Sequence, residues 1–286
     1  MSEAALPRPG LSVWLIAARP RTLAASVAPV IVGTAAAGAV RPLAAALCLL
    51  SSLFIQIGTN LANDYSDFER GADAERVGPR RVTQSGLVEP ARVKRAAWIA
   101  FGVAGAIGIA LALQAGWPIV AIGVASVASG WLYTGGPWPL GYHGLGDLFV
   151  FVFFGLVATC GTSYAQLLAV PPQAWLAGAA VGALATAMLV VNNLRDRAGD
   201  ARVGKNTLAV KLGARFTRAE YLALLLLAFA VTPLLGRPFP LLALPLAVRP
   251  LRRMLRAEGA ALNPALAETA RLQLAFSLLL ALEVWP

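Results

Sequence analysis

Two stretches of this sequence concentrate oxygen ligands and charge. The first runs Asn60-Leu-Ala-Asn63-Asp64-Tyr65-Ser66-Asp67-Phe68-Glu69-Arg70-Gly71-Ala72-Asp73. Four carboxylates fall within ten residues here. They repel one another, and desolvation near apolar sequence worsens the repulsion. A multivalent cation relieves it. Asn63 and Asp67 are four apart, so they share a face if the preceding helix continues this far. The second stretch is Asn192-Asn193-Leu-Arg195-Asp196-Arg197-Ala-Gly-Asp200, where Asp196 and Asp200 are again four apart. Asn63 to Asp67 and Asn192 to Asp196 repeat one spacing. Ligands that are all oxygen, with no His or Cys, favour Mg²⁺, which keeps waters and also accepts phosphate oxygens. Asp64, Asp67, Asp73, Asp196 and Asp200 are the candidate metal ligands. Asp67, Asp196, Asn63 and Asn192 are the candidate catalytic set.

Basic residues follow each acidic stretch: Arg76, Arg80 and Arg81 after the first, Arg195 within the second, and Lys205 after it. Carboxylates, a divalent metal and Arg or Lys together make a diphosphate clamp. One motif is rejected. Gly199 to Lys205 has P-loop spacing, but Asn206 stands where Ser or Thr should hold the metal, and an apolar helix precedes it rather than a strand. A third element, Tyr133 to Asp147, is rich in Gly, Pro and aromatics. It suits an aromatic acceptor beside the clamp, with His143 and Asp147 as proton carriers. Tyr65, Tyr133 and the pair Arg19 and Arg21, which suits a substrate carboxylate, complete that acceptor set.

The elements that must position these residues are helices in a membrane. The chain has 286 residues, 58% hydrophobic and 13% charged, with a mean hydropathy of +0.69. Soluble domains carry about twice that charge fraction. An ordinary cytosolic fold or a disordered chain is therefore excluded. A spanning helix needs about 20 mostly apolar residues. Nine runs qualify: 22–40, 43–62, 96–113, 117–133, 147–169, 173–193, 219–235, 238–251 and 265–285. The eighth is interrupted by Pro240, Pro245 and Pro250.

The net charge of +10 comes from 24 Lys+Arg against 14 Asp+Glu. Eighteen of the 24 fall after the second, sixth and eighth runs. The positive-inside rule then puts both acidic stretches and the N-terminus in the cytoplasm, and the C-terminus opposite. The arginines at 249–256 read as topology signals. Cys48 and Cys160 lie in apolar runs and suggest neither disulfide nor metal. The N-terminus lacks the pattern of a signal peptide, so the membrane helices are expected to direct insertion. No linker divides the chain, and 1–286 reads as one membrane-embedded, all-α domain.

With these residues in place, the chain resembles the UbiA superfamily of intramembrane prenyltransferases. The matching parts are Arg19-Pro-Arg-Thr-Leu23, Asn60 to Asp73, Gly78-Pro-Arg80 with Ser85-Gly86, Tyr133-Thr-Gly135, Gly141 to Asp147, and Asn192 to Asp200 running into Gly204 to Gly213. The general superfamily pattern would place the last acid of the first motif at position 71. Here that residue is Gly71, and Asp73 follows. The branch that prenylates 1,4-dihydroxy-2-naphthoate in menaquinone synthesis is similar in this longer spacing.

The resemblance implies nine helices around a cavity open to the cytoplasm, with a side portal for an isoprenoid tail. It implies Mg²⁺ on Asp67 and Asp196, supported by Asp64, Asp73 and Asp200, with diphosphate between them. It implies a polyprenyl diphosphate donor and loss of CO₂ from the naphthoate. Other acceptors, 4-hydroxybenzoate, homogentisate or haem, stay open. A transporter would place its ionisable residues near the bilayer midplane rather than at helix ends. Nothing in the pattern suggests a nucleic-acid partner.

Overall fold

A computed structural model of the chain describes residues 10–72 and 77–286. All regular structure in these residues is helical. Eleven α-helices follow in order: α1 Leu11–Ala18, α2 Ala24–Ala36, α3 Pro42–Glu69, α4 Pro90–Ala115, α5 Trp117–Leu132, α6 Gly146–Val150, α7 Ala158–Leu167, α8 Pro172–Arg202, α9 Leu208–Val231, α10 Leu244–Arg256 and α11 Asn263–Val284. Six spans are long and apolar enough to cross a membrane: α3, α4, Gly146–Leu167, α8, Leu208–Leu235 and Gly259–Val284. Helices α1 and α2 form a seventh candidate, bent by 54°. Each of the nine apolar runs falls on a helix, but two are short. Helix α5 has 16 residues and α10 has 13. Helix α10 is preceded without a break by the 3-10 helix Phe239–Ala243, so the helical run covers 239–256.

Helix α8 is the hub. It packs against α2, α9, α11 and the segment Phe151–Val157 that joins α6 to α7. Its sequence shows why: Ala174, Ala177, Gly178, Ala180, Gly182, Ala183, Ala185 and Ala187 are buried. In a bilayer, helices associate through close van der Waals packing, which small residues permit. The tightest approach is Gly155 against Gly182, where a Cβ on Gly155 would sit 2.5 Å from the Gly182 Cα. Phe151–Val157 winds as a π-helix across this contact, a distortion that recurs at functional sites.

Helices α3 and α8 are longer than a bilayer core requires. Their 28 and 31 residues reach about 42 and 46 Å. Both acidic motifs therefore continue on helix rather than loop. The apolar runs ended at 62 and 193, yet the helices extend through Glu69 and Arg202. This extension fixes the four-residue spacings onto single faces.

Candidate active site

The break between α1 and α2 is built by Pro20, with Arg19 in the left-handed region at φ 52°. Two polar residues of α3 grip it. Asn60 Nδ2 donates to the Ala18 carbonyl at 2.9 Å and to Thr22 Oγ1 at 3.0 Å. Gln56 Nε2 donates to Thr22 Oγ1 at 3.3 Å. The bend aims Arg19 and Arg21 into a cavity of about 400 Å³. Asn63 and Asp67 of α3 and Asn192, Asn193, Arg195, Asp196 and Asp200 of α8 line the same cavity. So do Arg80, Arg81, Tyr133, Thr134, Asp147, Lys205 and Thr207.

The acids within it are already matched to cations. Arg81 Nη2 lies 2.6 Å from Asp67 Oδ2, and its Nη1 donates to the Asn63 carbonyl at 2.6 Å. Lys205 Nζ stands 3.6 Å from Asp67 Oδ2 and 3.8 Å from Asp200 Oδ1, bridging the two motifs. Arg195 grips Asp196 through Nε at 2.8 Å and Nη2 at 2.6 Å, and reaches Asn263 Oδ1 at 3.3 Å. Gly78 leaves room for that guanidinium, because a Cβ there would fall 2.6 Å from Arg195 Nη2.

Asp64 is buried beside the cavity but does not line it. Its carboxylate accepts from the Val82 N–H at 3.1 Å, the Thr83 N–H at 3.3 Å and the Thr83 hydroxyl. One turn of α3 separates the two acids' roles. Asp67 faces the chamber, and Asp64 faces the 77–88 loop and tethers it. Asp64, expected as a metal ligand, is here hydrogen-bonded to the loop that carries Arg81. Tyr65 is also turned away, packed beneath Lys94 Nζ at 5.1 Å. His143 stacks on Trp138, with its ring nitrogen at 2.9 Å from the Pro139 carbonyl. Neither reaches the cavity lining. Asp73 and Arg76 lie outside the described residues.

Tyr142 is the residue that sequence reading left unassigned. Its hydroxyl donates to Asp67 Oδ1 at 2.9 Å. Burial and the Asp67 charge push this phenol well above the ordinary tyrosine range, so it stays a donor. Arg70 and Lys205 sit over its ring at 5.2 and 5.3 Å. The aromatic loop was the only sequence signal for it. Thr134 adds a donor to Asn63 Oδ1 at 2.7 Å, and Asn193 Nδ2 approaches Asp147 Oδ1 at 3.5 Å.

A second cavity of about 640 Å³ adjoins the first, with Tyr133 lining both. Its walls come from α3, α4, α5 and the Gly146–Leu167 span, including Ile55, Phe101, Phe149 and Phe153. Ile109, Val120 and Val124 form part of this lining and are exposed.

The donor set suits Mg²⁺. It is oxygen only, from Asp67, Asp196, Asp200, Asn63 and Asn192, with no thiol or imidazole. Among the described residues no three acidic, His or Cys side chains form a ready cage. Mg²⁺ shared with a substrate diphosphate needs only one or two protein carboxylates, and the cavity offers more.

A cavity of paired acids and bases joins an apolar side chamber within a bundle of membrane-spanning helices. Residues 26–260 match the UbiA prenyltransferase family, and the chain belongs to that family. It is accordingly a multi-pass membrane prenyltransferase. It is 45% identical over 244 residues to a 1,4-dihydroxy-2-naphthoate octaprenyltransferase of Mycobacterium tuberculosis, covering 82% of this chain and 84% of that one. It is 38% identical over 292 residues to the Escherichia coli protein of the same name, covering 95% and 94%. A UbiA homologue from Archaeoglobus fulgidus, solved with GPP and Mg²⁺, shares the fold at TM-score 0.59 and 18% identity, over 94% and 99% of the two chains.

Proposed function

We propose that this protein transfers a polyprenyl group from polyprenyl diphosphate to 1,4-dihydroxy-2-naphthoate, releasing diphosphate and CO₂ to give the reduced (quinol) form of demethylmenaquinone. The observation that carries the reading is the junction of two chambers at Tyr133. One is polar, lined by Asp67, Asp196, Asp200, Arg81, Arg195 and Lys205; the other is apolar, with Ile55, Phe101, Phe149 and Phe153 in its walls. A lipid diphosphate is the ligand with both halves. The names of the mycobacterial and E. coli relatives support the naphthoate as acceptor.

Arg81, Arg195 and Lys205 are the groups that exchange their carboxylate partners for diphosphate oxygens. That exchange frees Asp67, Asp196 and Asp200 to hold Mg²⁺, with Asn63 and Asn192 completing the shell. The metal, when bound, supplies positive charge against the diphosphate. The bond from the prenyl C1 to the diphosphate oxygen breaks, and its electron pair leaves with the diphosphate. Arg81, Lys205 and Arg195 stabilise that developing charge in a site shielded from bulk water. The electron-rich ring attacks the allylic cation and forms the new carbon–carbon bond. The carboxyl leaves as CO₂. Arg19 and Arg21 orient the naphthoate carboxylate, Tyr133 stands between ring and tail, and Asp147 takes the ring hydroxyl proton as the ring attacks and returns it to that oxygen once the electron pair of the departing CO₂ has restored aromaticity. The apolar chamber excludes water that would otherwise capture the cation.

We further place the site on the cytoplasmic side, with nine crossings and the C-terminus opposite, on the distribution of Lys and Arg. The test is purified protein with Mg²⁺, a prenyl diphosphate and a panel of acceptors. Diphosphate release that depends on dihydroxynaphthoate is expected. Turnover with 4-hydroxybenzoate alone would move the assignment to another acceptor, and no release with any acceptor would sink it.

A further inference from the structure

The loop from Tyr133 to Asp147, between α5 and α6, carries two hydroxyls that touch the first acidic motif. Tyr142 donates to Asp67 Oδ1 at 2.9 Å, and Thr134 donates to Asn63 Oδ1 at 2.7 Å. Residues 133–139 of this loop are not helical. Pro137 and Pro139 offer no N–H, and Gly136 and Gly144 turn the chain at φ 74° and 80°. Several of its carbonyls therefore need donors from outside the loop.

Those donors come from residues just beyond each acidic motif. Arg70 closes α3, and its fork spans two carbonyls: Nε donates to Thr134 at 3.3 Å and Nη2 to Gly136 at 2.7 Å. The same guanidinium lies over the Tyr142 ring, 5.2 Å from its centroid, within the range of a cation–π contact. Near the loop's other end, the Asn206 N–H donates to the Tyr142 carbonyl at 3.0 Å, and Lys211 Nζ to the His143 carbonyl at 2.8 Å. A Cβ on Gly144 would fall 3.1 Å from the Asn206 carbonyl oxygen and 3.2 Å from Lys211 Nζ, so glycine keeps that approach close. Neither Arg70 nor Lys211 lines the polar cavity.

We propose that Arg70 is a positioning residue for Asp67 and Asn63: it fixes the 133–147 loop so that the Tyr142 and Thr134 hydroxyls hold these two side chains in place, while Lys211 fixes the other end of the loop. With Oδ1 held by Tyr142, Asp67 keeps Oδ2 turned toward Arg81 and Lys205, at 2.6 and 3.6 Å. Contacts of this outer kind orient a metal-binding carboxylate, and their loss costs about 10–100-fold in metal affinity or activity. A basic residue that served topology alone would need charge but not two carbonyls. The inference rests on the reading above that Asp67 and Asn63 hold Mg²⁺.

The experiment uses the purified full-length protein and the variants Arg70→Ala, Arg70→Lys and Tyr142→Phe/Thr134→Val. Hydrogen exchange of the 133–147 backbone, read without metal or substrate, should quicken in Arg70→Ala. It should quicken less in Arg70→Lys, whose single ammonium reaches one carbonyl. The Mg²⁺ concentration for half-maximal diphosphate release should rise roughly tenfold in Arg70→Ala. On the Tyr142→Phe/Thr134→Val background the same change should cost less than about twofold more, because Arg70 acts through those hydroxyls. The control Arg92→Gln, on α4, should match wild type in both measurements. Unchanged exchange or an unchanged Mg²⁺ requirement in Arg70→Ala, or its full cost on the double background, would each overturn the proposal. Asp67→Asn separates this inference from the reading beneath it. An unchanged Mg²⁺ requirement there removes the metal reading and the inference with it, whereas a raised one beside a wild-type Arg70→Ala removes only the role given to Arg70. Arg70 is exposed, so a folded variant is expected; unfolding curves check this, and Arg70→Lys carries the same comparison if Arg70→Ala does not fold.

Discussion

Arg81 donates from Nη2 to Asp67 Oδ2 at 2.6 Å, and the two side chains are 5% and 2% exposed. The pair joins the α3 motif to the loop that follows it and is completed by Lys205 from beyond α8. Such a pair adds little net stability, because desolvation offsets the attraction. Its value is placement: on the reading proposed above, these two cations receive the diphosphate. Asp67→Asn keeps the shape but not the charge. Diphosphate release should fall by roughly 100-fold or more, the scale seen when one charge-stabilising group is lost. Near wild-type turnover would remove Asp67 from the metal shell.

Metal dependence follows from the same arrangement. Chelation should abolish turnover without unfolding the bundle, and added Mg²⁺ should restore it. Asp196→Asn and Asp200→Asn should each raise the Mg²⁺ concentration needed for half-maximal rate. A variant with an unchanged Mg²⁺ requirement would place that acid outside the shell.

Asp64 should behave differently. It holds the loop through Val82 and Thr83, so Asp64→Ala leaves buried donors without an acceptor, a cost of about 1–3 kcal/mol. The loop should become more open to protease and the KM for prenyl diphosphate should rise, with the Mg²⁺ requirement unaltered. A shift in Mg²⁺ requirement instead would return Asp64 to the metal.

Tyr142 provides a pH test. Its folded pKa lies above the ordinary value of about 10. As pH rises past that ordinary value, the unfolded phenol ionises while the folded one does not. Stability contributed by Tyr142 is therefore full below about pH 10 and is lost as pH climbs toward the folded value. Tyr142→Phe should flatten that alkaline decline in melting temperature. An identical slope in the variant would contradict the assignment.

The apolar chamber predicts chain-length control. Gly123 lines it, and a Cβ there meets nothing within 4 Å. Gly123→Phe should fill the space and shift preference toward shorter prenyl diphosphates by roughly tenfold. Unchanged chain-length preference would place the tail elsewhere.

What the sequence determined on its own was the class of chemistry. Apolar runs needed a bilayer, and repeated Asn and Asp four residues apart raised the expectation of a cation. These properties are local, set by residue type and helical period, so they survive without coordinates. The neighbours of each acid were not local. Asp64 and Asp67 differ by three positions and look equivalent in the motif, yet one faces the chamber and the other a loop 18 residues on. Tyr142 meets Asp67 across 75 residues, a contact that no periodicity encodes. The eighth apolar run folds as a 3-10 helix, Phe239–Ala243, running directly into α10, which packs against α9 and α11. Tertiary packing decided these points, since a side chain's role depends on which surface its helix turns toward it.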